Sequence, residues 1–264
     1  MAPKTSTDVR DRVVLVTGGG SGIGRAVCRA FAQAGARGVA VADVDADAAR
    51  SVADGIGGLA IEVDMGDEAD VQRMIARTRD TYGPIDIFCS NAGILSVGGI
   101  EASNGEWQRA WQVNFMAHVY AARDLVPEML ERGGAFVLVA SAAGLLTQVG
   151  AAPYAVTKHA TVAIAEWLAM TYGHRGLQVA CVCPLGVRTP MLLDNLDESP
   201  LAEYLEQGAV TPEEVAGTLL EGLADGRFLV LPHPQVHEFF RRKADDYDRW
   251  LGGMNRLHRQ LEGE

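Results

Sequence analysis

Residues 13–24 read VVLVTGGGSGIG, an apolar run followed by a glycine-rich turn. The run from Val13 to Thr17 has strand length and no polar alternation, as in a strand buried on both faces. From Gly22 onward, apolar residues recur with helical spacing. Between a strand and a helix, glycines let backbone N–H groups approach a diphosphate at the helix N-terminus. The stretch therefore predicts a nucleotide site, with a ligand-free turn as the alternative.

The rest of the chain alternates between strand-like and helix-like segments. Further apolar runs of strand length lie at 38–43, 85–90, 135–141, 179–184 and 228–232. Helical periodicity covers 22–34, 68–82, 103–131, 153–172 and 212–224. Ser103 with Glu106 and Thr211 with Glu214 fit capping boxes, and Pro212 suits the first helical position. The alternation predicts an α/β fold with a doubly wound parallel sheet of about seven strands and helices on both faces.

The chain has 264 residues, enough for one large domain, which we expect over 11–232. Residues 1–10 are expected to be flexible, and 190–210 are long enough to form a substrate lid. Beyond the last strand, 233–264 is expected to be a helical extension. Its apolar stripe consists of Phe240, Ala244, Tyr247, Leu251 and Met254. The stripe is expected to pack on the domain or on a neighbouring subunit, and closure over the substrate is the alternative.

Charge and composition exclude several classes of partner. The net charge of −11 disfavours nucleic acid and anionic membranes. No apolar run approaches the roughly 20 residues of a membrane span, and the first ten residues lack the apolar block of a signal peptide, so we expect a cytoplasmic protein. Four cysteines without C-x-x-C spacing are expected to be reduced thiols, and the histidines form no ligand cluster, so no metal is expected.

Asp43 bears on the choice of nucleotide. It ends the second predicted strand, nineteen residues after Gly24, near the spacing at which a carboxylate accepts hydrogen bonds from an adenosine ribose. A carboxylate there repels a 2′-phosphate, and neither Ser21 nor Val44 supplies a compensating positive charge. NAD is therefore favoured over NADP. The alternative for Asp43 is a helix N-cap, a role for which Asp45 is available.

Tyr154 and Lys158 form a candidate acid/base pair. They are four residues apart on a helix that Pro153 is expected to open, so both side chains lie on one face. A phenol with a pKa of about 10 is a poor base at neutral pH, and a neighbouring ammonium lowers that pKa. Ser141 follows the fifth predicted strand at the ligand-binding edge, where its hydroxyl can hydrogen-bond a substrate oxygen.

With these residues in view, the sequence resembles the short-chain dehydrogenase/reductase family, in its shorter single-domain branch, over roughly residues 10–232. The motifs that carry the resemblance occur in family order and are Thr17 to Gly24, Asn91-Ala92-Gly93, Asn114, Ser141 and Tyr154-x-x-x-Lys158. The resemblance implies a Rossmann fold and an NAD(H)-dependent alcohol dehydrogenase or ketone reductase. It also implies a homotetramer or a dimer.

The resemblance also implies the roles of individual residues. Tyr154 is the acid/base, Lys158 also holds the nicotinamide ribose, Ser141 polarises the carbonyl and Asn114 supports a water relay. The expected cofactor-binding residues are Thr17, Gly18, Gly20, Ser21, Gly22, Ile23, Gly24, Asp43, Val44, Asp64, Met65, Asn91, Ala92, Gly93, Tyr154, Lys158, Pro184, Gly186, Val187 and Thr189. One departure is that Leu185 displaces by one position the glycine that commonly follows Pro184.

The substrate is expected to be a small apolar molecule. The expected lining residues, with ordinary packing as their alternative, are Ser141, Leu95, Leu145, Gln148, Met191 and Leu192. Two other functions remain open. One is a carrier-protein-linked 3-oxoacyl reductase, which the expected NAD preference and the acidic charge disfavour. The other is a non-catalytic NAD(H)-binding regulatory protein, against which the complete set of catalytic residues argues.

Overall fold

The computed structural model describes residues 6–194, 200–261 and 263, and it places every predicted strand in one sheet. The strands are β1 (Val13–Thr17), β2 (Gly38–Asp43), β3 (Leu59–Glu62), β4 (Ile87–Ser90), β5 (Gly134–Val139), β6 (Leu177–Val182) and β7 (Leu229–Val230). Over the described residues, these seven strands pair in parallel in the order β3-β2-β1-β4-β5-β6-β7. The predicted doubly wound sheet is confirmed.

Helices cover both faces of the sheet. They are α1 (Gly22–Gln33), α2 (Ala46–Ile56), α3 (Glu68–Tyr82), α4 (Asn104–Trp111), α5 (Ala117–Arg132), α6 (Ala143–Leu146), α7 (Ala152–Tyr172), α8 (Pro190–Leu193), α9 (Pro200–Glu206), α10 (Pro212–Ala224), α11 (Gln235–Asp245) and α12 (Tyr247–Leu261). Val14 and Val16 of β1 belong to one buried cluster with α1, α2 and α10. Leu15 points the other way, into a cluster with α3, α5 and α7. This burial on both faces explains why β1 is apolar throughout.

Both predicted capping boxes are confirmed. The Ser103 hydroxyl accepts the N–H of Glu106 at 3.3 Å, and the Glu106 carboxylate accepts the N–H of Ser103 at 2.8 Å. Thr211 and Glu214 make the same exchange at 3.2 and 2.7 Å. Two of the four free N–H groups at each helix start are thereby satisfied.

Two helical segments differ from the sequence prediction. Helix α2 was not predicted, although Asp45 caps its first turn and Gly57 ends it at a positive φ of 66°. The predicted helix over 103–131 is interrupted, since a π-helical segment, Gln112–Met116, joins α4 to α5. A π-bulge adds one residue to a turn and rotates the side chains within it, which a 3.6-residue periodicity does not reveal.

The C-terminal extension is two helices, so the predicted apolar stripe does not run along one continuous helix. Asp246, with φ −152° and ψ 92°, breaks the helix and changes which residues face inward. Val236 is buried, and Phe239 and Trp250 pack against the buried cluster that contains Leu15. The exposed residues are Phe240, Tyr247 and Leu251. The buried Lys243 ammonium donates to the Leu145 carbonyl oxygen at 2.7 Å, which attaches α11 to the end of α6.

Two further segments were predicted to be a flexible terminus, 1–10, and a substrate lid, 190–210. Residues 1–5 of the predicted flexible terminus lie outside the described residues, but Thr7 donates its N–H to the Leu223 carbonyl at 3.0 Å and Val9 is buried. Thr7 and Val9 therefore contact the domain, whereas Ser6, Asp8 and Arg10 are exposed. Of the predicted lid 190–210, positions 195–199 lie outside the described residues, and the remainder includes α8 and α9.

Strands β1 and β4 meet where the sheet order reverses, the position at which open α/β sheets bind ligands. Side chains join the two strands there. The Thr17 hydroxyl accepts the N–H groups of Asn91 at 3.0 Å and Ala92 at 3.1 Å. In return, the Asn91 amide donates to the carbonyl oxygens of Thr17 at 3.0 Å and Gly18 at 3.2 Å. These bonds fix the start of the glycine loop against the segment after β4.

Replacing Thr17 tests this junction. Thr17→Val keeps the side-chain shape but leaves the two N–H groups without their acceptor, so the free energy of unfolding should fall by about 2–4 kcal/mol in urea titrations. Thr17→Ser keeps the hydroxyl and loses one buried methyl, and should cost about 0.5–1.5 kcal/mol. Equal losses in the two variants would contradict the proposed importance of the hydroxyl.

Candidate active site

A cleft of about 490 Å³ opens beside the junction of β1 and β4. The predicted site residues that line it are Gly18, Ser21, Gly22, Ile23, Asp43, Val44, Asp64, Met65, Asn91, Ala92, Gly93, Leu95, Ser141, Gln148, Tyr154, Lys158, Pro184, Gly186, Val187, Thr189, Met191 and Leu192. Five other predicted residues are absent from the described lining: Thr17, Gly20, Gly24, Asn114 and Leu145. The structure thus brings most of the predicted set to one cleft.

The glycine loop forms one end of the cleft. Gly18 has φ +63° and Gly22 has φ +49°, a backbone conformation that favours glycine. A Cβ at Gly24 would lie 1.9 Å from the Gly18 carbonyl oxygen, so the loop can close onto α1 only with glycine there. Ser21 occupies the N-cap of α1 but makes no side-chain capping bond. The first N–H groups of α1 are therefore left without a side-chain cap at the cleft.

Asp43 lies at the edge of the glycine loop. One carboxylate oxygen accepts the Gly20 N–H at 2.8 Å, and the other accepts the Asp45 N–H at 3.1 Å. Asp45, and not Asp43, caps α2, by accepting the N–H groups of Asp47 and Ala48 at 3.0 Å each. The carboxylate of Asp43 is thus held in a fixed orientation in the cleft wall, and each oxygen has a second lone pair for a ligand.

Tyr154, Lys158 and Ser141 lie together deeper in the cleft. Tyr154 and Lys158 occupy successive turns of α7, and the Lys158 ammonium is 5.6 Å from the centre of the Tyr154 ring. That ammonium donates to the Val139 carbonyl oxygen at 3.0 Å. Ser141 follows β5, and its hydroxyl accepts the Ala143 N–H at 3.1 Å. The three groups come from the first turns of α7 and from the segment that follows β5.

Burial dominates the electrostatics of this group. It raises the pKa of the Tyr154 phenol, and hydrogen bonding with Ser141 lowers that pKa in part. Burial also lowers the pKa of the Lys158 ammonium to about 8. The sequence analysis expected Lys158 to lower the pKa of Tyr154. In the protein without a cofactor, burial raises that pKa instead, because removal from water disfavours both tyrosinate and the ammonium. Ser141 is the neighbour that favours tyrosinate.

Asn114 lies behind the cleft in the π-helical segment, fully buried. Its side-chain oxygen accepts the Ile94 N–H at 2.8 Å, and its amide donates to the Ile94 carbonyl oxygen at 3.0 Å and the Thr157 hydroxyl at 3.1 Å. Asn114 thereby ties the segment after β4 to the helix that carries Tyr154 and Lys158. Gly93 leaves room for this arrangement, since a Cβ there would lie 3.4 Å from the Lys158 ammonium.

One family model covers the glycine loop, the Asn91-Ala92-Gly93 turn and the Tyr154–Lys158 pair. The family model described as short chain dehydrogenase matches residues 12–199. The chain belongs to the short-chain dehydrogenase family.

Two curated relatives and one solved structure illustrate the family. The chain is 36% identical over 250 residues to 1-deoxy-11-beta-hydroxypentalenate dehydrogenase of Streptomyces exfoliatus, covering 90% of this chain and 89% of that one. It is 31% identical over 240 residues to a mitochondrial borneol dehydrogenase of Lavandula x intermedia, covering 88% and 91%. A short-chain dehydrogenase from Burkholderia phymatum, crystallised with NAD, superposes with a TM-score of 0.84 at 25% identity, covering 92% of this chain and 96% of its own.

In this short-chain dehydrogenase, Asp64 has a protein partner that sequence reasoning missed. Arg109 of α4 pairs with the Asp64 carboxylate at 3.0 Å, and the Gly66 N–H donates to the same carboxylate at 2.8 Å. Burial raises the pKa of Asp64, but these contacts outweigh it and leave the pKa below its usual value. Arg109 also lines the cleft. No sequence motif marks Arg109, because it meets Asp64 only through the packing of α4.

The substrate side of the cleft also differs from expectation. Leu145 is buried in the main core instead of facing the cleft, since α6 turns it toward α7 and α11. The lining residues that the sequence did not single out include Leu201, Leu205, His258 and Leu261. The first two lie on α9 and the last two on α12, so the C-terminal extension contributes to the wall. The positions of His258 and Leu261 depend on the helix break at Asp246 and could not be derived from periodicity.

The described residues contain neither a metal-binding cluster nor a helix that could span a membrane. Over that part of the chain, no group of three or more His, Cys, Asp or Glu side chains is arranged to bind a metal ion. None of the helices described is both long and apolar enough to cross a membrane.

Proposed function

We propose that the chain is an NAD(H)-dependent oxidoreductase that interconverts a secondary alcohol and its ketone, with Tyr154 as the acid/base. The observation that carries this proposal is the position of Tyr154, Ser141 and Lys158 in the same cleft as the glycine loop. A nucleotide bound at the loop would extend along the cleft toward these groups.

The residues of the cleft fit a dinucleotide. Gly18 and Gly22 adopt positive φ, and glycine at 24 lets the loop close onto α1, whose first N–H groups have no side-chain cap and can bind a diphosphate. Asp43 offers carboxylate oxygens to the adenosine ribose, and its charge would repel a 2′-phosphate. The neighbouring Val44 is exposed and uncharged, and Arg109 is already paired with Asp64. These features favour NAD over NADP.

A bound nicotinamide supplies the hydride acceptor or donor for this reaction. The chain's own residues handle the proton and the substrate oxygen. Tyr154 removes the hydroxyl proton in alcohol oxidation and returns it in ketone reduction. Ser141 hydrogen-bonds the same oxygen and the phenol, which favours the charged form of each. Lys158 adds positive charge near tyrosinate, and Asn114 holds the backbone that lines the opposite wall.

Tyr154→Phe tests the acid/base assignment. The variant loses the phenolic proton but keeps the ring, so kcat should fall by about 10²–10⁴-fold while the Kd for NADH stays within about twofold. Steady-state kinetics and NADH fluorescence titration measure the two quantities. Unchanged turnover would refute the mechanism, and unchanged function in a regulatory assay would favour the NAD(H)-binding alternative.

Asp43→Asn tests the cofactor assignment. Asparagine keeps an oxygen to accept the Gly20 N–H but removes the charge, so NADP should be accepted more readily and NAD should bind about 10-fold more weakly. Asp43→Ala, which also loses the loop contact, should weaken both nucleotides. Tighter NAD binding in Asp43→Asn would contradict the ribose contact.

Ser141→Ala tests the electrostatics. Tyr154 must be deprotonated to act as a base, so alcohol oxidation should accelerate as pH rises through its pKa and ketone reduction should slow. Because Ser141 lowers that pKa, Ser141→Ala should move both transitions to higher pH, in addition to lowering kcat by about 10²-fold or more. A transition that stays in place, measured in profiles of kcat against pH, would separate Ser141 from the Tyr154 proton.

We further propose an alicyclic secondary alcohol as the substrate. Leu95, Met191, Leu192, Leu205 and Leu261 give the distal cleft an apolar wall. Two relatives with about one third identity are named for dehydrogenation of alicyclic terpenoid alcohols, a hydroxypentalenate and borneol. The acidic chain offers no general attraction to an acidic carrier protein, so the carrier-linked reductase stays the less favoured alternative. The cytoplasmic location and the tetramer or dimer remain predictions.

Leu261→Ala tests the apolar wall. Removing this side chain should raise KM for a bulky alicyclic alcohol about 10-fold, equivalent to about 1.4 kcal/mol of apolar contact, without changing the Kd for NADH. Leu251→Ala is the matched control, because Leu251 lies on the same helix α12 but is exposed. Equal effects in the two variants would mean that α12 acts only on stability.

A further inference from the structure

His233 is a buried titratable group outside the proposed mechanism that contacts a cleft-lining segment. It follows β7, between Pro232 and Pro234, and precedes α11. Its side chain is 1% exposed. Its ring nitrogen Nδ1 lies 3.1 Å from the backbone nitrogen of Leu185, which donates its N–H to the ring. Leu185 is the residue that displaces the glycine after Pro184.

The segment that donates this bond, Pro184–Thr189, forms part of the cleft wall, with the Thr189 methyl next to Gly22 of the glycine loop. It also pairs with the end of the predicted lid. Val210 donates its N–H to the Gly186 carbonyl at 3.1 Å, and Arg188 donates to the Val210 carbonyl at 3.0 Å. A Cβ at Gly186 would lie 2.4 Å from the Leu205 carbonyl oxygen. The segment is therefore closely packed against the described part of the predicted lid.

Hydrogen bonding at Nδ1 fixes the form of the imidazole. A nitrogen that accepts an N–H carries a lone pair, so the neutral ring has its proton on Nε2. Burial lowers the pKa of His233, which favours this neutral form, while backbone groups of Gly186 and Gly208 and the Glu214 charge act in the opposite direction. Nε2 is buried and, among the described residues, makes no hydrogen bond of normal geometry.

Burying an N–H that makes no hydrogen bond of normal geometry is costly, so a polar ring at this position calls for a compensating role. A leucine or phenylalanine would fill the same volume without that cost, but it would leave the Leu185 N–H unpaired. The useful feature of the ring is thus its Nδ1 acceptor. Pro232 and Pro234 restrict the backbone on either side, which holds that acceptor in place.

We propose that His233 is a positioning residue that holds Pro184–Thr189 in register against the bound dinucleotide through the Leu185 N–H. It acts through the backbone and does not touch the reacting atoms. The kinetic part of this inference rests on the proposed function, whereas the loop-ordering part can be measured in the protein without any cofactor.

The test compares His233→Asn with His233→Phe. Asparagine places its amide oxygen near the position of Nδ1 and should keep the Leu185 bond, whereas phenylalanine keeps the ring volume without an acceptor. In hydrogen-exchange mass spectrometry of the free protein, peptides covering 184–189 should exchange about 10-fold faster in the phenylalanine variant and nearly as slowly as wild type in the asparagine variant. His237→Phe, at an exposed position on α11, should change nothing.

Kinetics complete the test. His233→Phe should raise the Kd for NADH and lower kcat, each by about 10-fold, while the pH dependence set by Tyr154 stays in place and His233→Asn recovers both values. The inference is overturned if the two variants behave alike, or if both lower only the thermal stability. If wild type turns over no alcohol yet the exchange difference is present, the proposed function fails and the loop-ordering role of His233 stands.

Discussion

Much of the cleft depends on the hydrogen bonds between Thr17 and Asn91 at the point where the sheet order reverses. One hydroxyl accepts two backbone N–H groups, and one amide returns two bonds to the glycine loop. Neither strand could hold its end in place alone, because both leave the sheet there and lose their ladder partners. The turn after β4 in turn receives Asn114, which reaches back to the helix of Tyr154 and Lys158. A continuous polar connection therefore links the nucleotide end of the cleft to the proton-transfer end.

At the proton-transfer end of the cleft, burial disfavours the charged forms of Tyr154 and Lys158. Tyr154 has a raised pKa and Lys158 a lowered one, so the free protein keeps both closer to neutrality than water would. Ser141 is the group within the chain that offsets this for the phenol. The neutral phenol is the form that donates the proton in ketone reduction, and alcohol oxidation requires the charged form that Ser141 favours.

The sequence revealed the parts of the molecule that local rules determine. The glycine loop, the spacing of Tyr154 and Lys158 and the capping boxes at Ser103 and Thr211 depend on residues close in the chain, and the structure has them where they were predicted. Asn114 was identified from the family pattern, but its placement on a π-helical segment was not. Sequence reasoning missed Arg109, His233 and Leu261 because their contacts depend on tertiary packing. Arg109 and Leu261 line the cleft from α4 and α12, whereas His233 contacts the cleft-lining Leu185 from the segment after the last strand. Hydrophobic periodicity along the chain does not reveal such tertiary contacts.

The most direct measurement follows reduced-nicotinamide absorbance when purified protein is mixed with NAD or NADP and a set of alicyclic secondary alcohols, with the O-methyl ether of each alcohol as its control. The account predicts that NAD is reduced by at least one alcohol, that NADP is reduced much more slowly, and that the ethers, which have no proton for Tyr154 to remove, give no signal. Tight NADH binding without turnover of any alcohol, or turnover with NADP alone, would contradict it.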